Sequence, residues 1–127
     1  MSGSIPFQRR EARLESNELA HIIVDAAAEK QASDIVLLDL RKITLIADYF
    51  IVCSGQSLRQ IKSITEGVLE SIRDRGVRPL AVEGESDSGW VLVDLGSVIV
   101  HIFSPELRTY YALEELWRDA PVVVHMQ

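Results

Sequence analysis

With 127 residues the chain has the size of one domain, and the surface scaling of folded proteins lets it bury roughly two thirds of what its unfolded form exposes, which makes a core without disulfides or metals feasible. A 47% hydrophobic and 25% charged composition, with no apolar run near the ~20 residues of a membrane span, excludes an integral membrane protein and leaves a soluble globular one. The net charge of −6 lies wholly in residues 83–127, where eight acids face Arg108 and Arg118, while residues 1–82 balance 11 acids with 11 Lys and Arg; this argues against binding a nucleic-acid backbone and leaves either a solvated acidic surface or a docking face for a basic partner.

Residues 1–15 mix Gly, Ser, Pro and charges without apolar periodicity and read as a flexible leader. Their arginines precede no apolar stretch with a cleavage site, so a secretory signal is not expected and a cytoplasmic address is. Ser16 or Asn17 is expected to cap a first helix, whose apolar stripe Leu19, Ile22, Ile23, Ala26 and Ala27 ends near Lys30. Ile35–Asp39 and Tyr49–Ser54 are short, unbroken apolar runs joined through polar Arg41-Lys42, and they predict strands covered on both faces.

Ser57 with Gln60 three residues on has the capping-box spacing, and it opens a helix with Ile61, Ile64, Val68, Leu69 and Ile72 on one side and Gly76 as its stop. Pro79–Glu83 reads as a third strand, followed by the polar loop Gly84–Gly89. Trp90–Asp94 and Val98–Phe103 then form the clearest hairpin, turning through Gly96-Ser97. Ser104 as cap and Pro105 in the first turn start the last helix, which runs through Tyr110, Tyr111, Leu113, Leu116 and Trp117; residues 120–127 are a short tail. The order α-β-β-α-β-β-β-α predicts a single α/β domain over residues 16–119, a mixed five-stranded sheet with helices packed on it.

Few residue patterns point to chemistry. Gly55-Gln56-Ser57 sits between a strand and a helix but lacks the glycine spacing of a phosphate loop. Glu85 and Asp87 lie in a loop and Asp94 alternates with Leu92, so no carboxylate pair is set for a metal. A Gly96-Ser97 turn puts Trp90, Leu92 and Asp94 on one face with Ile99, His101 and Phe103, and Asp94 diagonally from His101; without a Ser or Cys nucleophile, this pair reads as a structural hydrogen bond. Cys53, the single cysteine, falls in an apolar strand and reads as buried and inert, and His21 and His125 lack metal-ligand spacing. No cofactor is expected. Trp90, Tyr110 and Tyr111 fall within the acidic third, and aromatics ringed by charge suit a docking surface built from the hairpin and last helix.

From about Leu19 to Trp117 the chain resembles the Iojap/RsfS family of ribosomal silencing factors. The resemblance is carried by Ile46-Ala47-Asp48-Tyr49-Phe50, Cys53-Ser54-Gly55-Gln56-Ser57 with Arg59-Gln60, and Glu83-Gly84 with Gly89-Trp90. Asp94-Leu95-Gly96, Val98–Phe103, Arg108–Tyr111, Leu113-Glu114 and Leu116-Trp117 continue it in order. That resemblance implies a nucleotidyltransferase-like sheet without catalysis, binding to the large ribosomal subunit through its protein fourteen, and steric blocking of the small subunit that lowers translation when nutrients are scarce. It makes Trp90, Asp94, Leu95, Gly96, Arg108, Tyr110 and Tyr111 the candidate contacts. Ser97 departs from the family, which usually has an acid after the turn glycine. Large-subunit maturation and a relict nucleotidyltransferase using Ser57 and Asp94 are the alternative readings, and the aromatic face also suits a homodimer of the free protein.

Overall fold

The computed structural model describes residues 14–127, so the expected leader lies outside the described residues except for Leu14 and Glu15. Helix α1 spans Ser16–Glu29, with Glu15 rather than Ser16 or Asn17 at the cap. The Ser16 hydroxyl is engaged elsewhere, donating to Asp48 Oδ2 at 2.9 Å, while the Glu18 carboxylate accepts from the Glu15 N–H at 3.1 Å. Tertiary demand thus moved the cap by one residue.

Strands β1 (Ser33–Asp39) and β2 (Tyr49–Ser54) pair antiparallel, and helix α2 (Leu58–Arg73) follows. Short β3 (Ala81–Glu83) leads through a single 3-10 turn to β4 (Trp90–Asp94), which forms a hairpin with β5 (Val98–Phe103). β5 then returns beside β2 in parallel, giving a mixed sheet. Its order is β3-β4-β5-β2-β1-β6, where β6 is Val122–Met126.

β6 corrects the expected count of five strands to six. The expected tail pairs antiparallel with β1, and Val124, opposite Leu37, packs against the main core. Pro121 stands just before it, where a missing N–H does not interrupt the ladder, and the three branched valines that follow suit a pleated edge.

Side chains alternate across the sheet and make two cores. Ile35, Leu37, Ile51, Cys53, Val91, Val93, Val100 and Ile102 face α1 and α2, while Val36, Leu38 and Phe50 face the other way, toward Ala120 and Trp117. β2 is buried along its whole length, as its unbroken apolarity predicts.

The last helix is also two, α3 (Pro105–Tyr111) and α4 (Leu113–Leu116), broken where Ala112 adopts φ 48° and ψ 49°. On one continuous helix Arg108 and Glu114 would stand about 120° apart around the axis and more than one turn apart along it. With the break, Arg108 Nε and Nη2 fork onto the Glu114 carboxylate at 2.9 and 2.8 Å.

Candidate partner-docking site

The site is built on the hairpin. Its register pairs Trp90 with Phe103, Leu92 with His101 and Asp94 with Ile99, which is the register a Gly96-Ser97 turn demands. Val91 and Val93 are buried toward the helices, so Trp90, Leu92 and Asp94 line the opposite face, each half-buried. At the turn Gly96 takes φ 84°, and its N–H donates to Asp94 Oδ1 at 2.8 Å. Ser97 O accepts from the N–H groups of Asp48 and Tyr49, fastening the turn to the start of β2.

The expected Asp94–His101 hydrogen bond is not formed. Asp94 satisfies the local turn instead, as short carboxylates do when a free amide lies two residues on. His101 Nδ1 accepts from the Trp90 indole Nε1–H at 3.3 Å. Burial pushes the His101 imidazole down to about 4, so it is neutral at physiological pH.

From His101 an aromatic series climbs to the surface. Trp90 stacks on Phe103 at 4.9 Å between centroids and meets Tyr111 at 4.5 Å; Tyr111 in turn meets Tyr110 edge-on at 5.0 Å. Tyr110 is 77% exposed and Tyr111 45%. Close approach makes this stack feasible: Ser104 N donates to Gly89 O at 2.7 Å, and a Cβ on Gly89 would come within 2.9 Å of the Leu107 side chain. Ser104 Oγ caps α3 by accepting from Leu107 N, as the Ser-Pro start predicts.

The remaining site residues separate by role. Leu95 and Gly96 sit at the turn end of the hairpin, half-exposed, and Trp90 with the tyrosines at the other end. Arg108, expected as a contact, keeps its guanidinium inside: besides the Glu114 fork, Nη1 donates to Ser54 Oγ at 3.0 Å, and the side chain is only 12% exposed. It lines a cleft of about 800 Å³ that opens between α3–α4 and strands β1 and β6, with Val36, Trp117 and Val122 among its walls. That cleft was not anticipated, because β6 was not.

The patterns that resemble enzyme chemistry are occupied by structure. Ser57 Oγ accepts from Gln60 N at 3.1 Å, and Gln60 Oε1 accepts from Gln56 N at 2.7 Å, so these amides serve the helix start. Burial pushes the Cys53 thiol up to about 12, far from a nucleophilic thiolate. His21 Nδ1 bonds its own helix at Asn17 O, and His125 lies 3.5 Å from Asp34. Among the described residues no three His, Cys, Asp or Glu side chains are grouped to hold a metal, and no helix is long and apolar enough to cross a membrane.

A family model described as "Ribosomal silencing factor during starvation" matches residues 13–127. The ribosomal silencing factor of Halalkalibacterium halodurans is 39% identical over 110 residues, which cover 87% of this chain and 94% of that protein. The mouse protein named mitochondrial assembly of ribosomal large subunit protein 1 is 28% identical over 118 residues, spanning 84% of this chain and 52% of its own length. A crystal structure of a Chromobacterium violaceum protein superposes with a TM-score of 0.79 at 36% identity, over 82% of this chain and 87% of that one.

Proposed function

This chain belongs to the Iojap/RsfS family of ribosomal silencing factors, and from that premise we propose that it binds the large ribosomal subunit through ribosomal protein fourteen, on the face that meets the small subunit. Standing there, it blocks subunit joining and lowers translation under nutrient limitation. The observation that carries this reading is the aromatic series that runs from half-buried Trp90 on β4 to the exposed Tyr111 and Tyr110 on α3, beside Glu106, Glu114 and Glu115 of α3 and α4. Large aromatic rings supply much of the binding energy at protein interfaces, and opposite charge speeds and orients encounter with a basic ribosomal protein. Blocking is a competition between two binding free energies, so it needs bulk and affinity but no nucleophile, metal or cofactor.

Trp90→Ala combined with Tyr110→Ala is expected to reduce co-sedimentation with isolated large subunits by ten-fold or more, since truncating a central aromatic costs about 2 kcal/mol or more. Joined ribosomes should rise in parallel. Subunit joining left unchanged by saturating wild-type protein would overturn the proposal.

The name of the mouse relative favours a second role at the same surface, in large-subunit maturation. Depletion would then leave immature large subunits, whereas a silencer of finished subunits leaves assembly intact. A nucleotidyltransferase would need Ser57 and Asp94 free, and both are held by backbone amides; titration with nucleotide and magnesium is expected to be flat. A cytoplasmic address is part of this reading, and the exposed tyrosines equally suit pairing of two free copies, which sedimentation at rising concentration would read.

A further inference from the structure

His101 is 4% exposed, on the sheet face away from α1 and α2, among the rings of Phe50, Phe103 and Trp90, whose centroids lie 4.8, 6.0 and 6.0 Å away. Its Nδ1 accepts from the Trp90 indole, so its proton sits on Nε2, and that buried nitrogen has no hydrogen-bond partner among the described residues. Judged by stability alone the imidazole is a poor occupant. A phenyl ring would fill the same ring-lined space without burying an unpaired N–H, and one neutral hydrogen bond of 3.3 Å does not offset that desolvation. What the imidazole supplies and a phenyl ring lacks is a fixed acceptor for the indole.

We infer that His101 is a positioning residue for docking: its Nδ1 holds the Trp90 indole in the orientation that stacks on Phe103 and meets Tyr111, so the aromatic series stands preformed before the partner arrives. The inference rests on the docking function proposed above. Trp90 is half-buried and starts its strand just after the Gly84–Gly89 loop, so without this tether its ring has room to leave the stack. A side chain ordered in advance spares the complex the entropy of ordering it, a difference of roughly five-fold in affinity for one large ring.

The test uses the full chain with His101→Phe and His101→Asn. Asparagine places its Oδ1 near the position of the imidazole Nδ1, so it keeps the acceptor while losing the ring. Three quantities are read: the melting temperature, the exchange with water of the Trp90 indole proton in nuclear magnetic resonance spectra (assigned by its loss in Trp90→Phe), and affinity for isolated large subunits. His101→Phe is expected to melt no lower than wild type, yet to exchange its indole proton faster and bind about five-fold more weakly. His101→Asn is expected to melt lower and still keep a protected indole and most of the affinity. If affinity instead follows melting temperature, or His101→Phe binds as wild type does, the positioning role is overturned. Should His101→Phe not fold, His101→Asn decides, by keeping or losing affinity. Wild-type protein that fails to co-sediment would remove the docking reading first and the positioning role with it.

Discussion

Arg108 ties three elements together with one guanidinium: two nitrogens fork onto Glu114 across the break at Ala112, and the third reaches Ser54 at the end of β2. With the arginine 12% exposed but Glu114 37%, solvent screening discounts the ion pair, and Arg108→Ala is expected to cost about 2 kcal/mol, measured by chemical denaturation. Arg108→Lys should recover little, because an ammonium cannot fork onto a carboxylate and reach a hydroxyl at once. Such a role was not legible in the sequence, since Arg108 and Ser54 are 54 residues apart and only the fold brings them together. Asp94 is a different failure. The face it shares with His101 follows from period-two alternation, but that periodicity does not say which of two neighbouring donors a carboxylate takes, and the amide of Gly96 two residues on was nearer than a ring across the ladder. The exposure of Tyr110 and Tyr111 was legible only from their company, since each ring alone suits a core and it is their clustering among acids that points to a surface.

At the level of elements, the parts written in local chemistry came through: the Ser57 and Ser104 caps, the Gly96-Ser97 turn and hence the hairpin register. The parts that depend on distant partners did not. Val122-Val123-Val124 has the branched composition of a strand but is short and terminal, and only β1 as a neighbour turns it into one. Its contribution can be measured. Val124→Asp puts a carboxylate against the core beside Leu37, and is expected to destabilise the protein by about 2 kcal/mol in urea titrations and to release β6 from β1. A change within about half a kcal/mol would mean that β6 rests on β1 without supporting it. The break at Ala112 was equally invisible, since alanine is the best helix former and its left-handed conformation is imposed by the surroundings.

For the whole molecule, the sheet is covered unequally: α1 and α2 seal one face, and short α3 and α4 leave the other partly open, with His101 buried beneath it. That arrangement makes stability depend on pH. Burial holds His101 down to about 4 against an ordinary 6.5, so between those values the unfolded chain takes up a proton that the folded chain refuses. Its contribution is complete above pH 6.5 and drains away as pH falls toward 4, on the order of 3 kcal/mol in all. Denaturant titrations at about pH 7 and about pH 4 are expected to show His101→Phe losing less stability than wild type, and equal losses would assign the whole profile to carboxylates. The pairing of β1 with β6 reaches further than stability, because it joins the first strand of the sheet to the last. During synthesis β1 is made long before β6, so it has no lateral neighbour on that side until residues 122–126 have emerged. The strand that is made first is thus the one whose pairing is completed last.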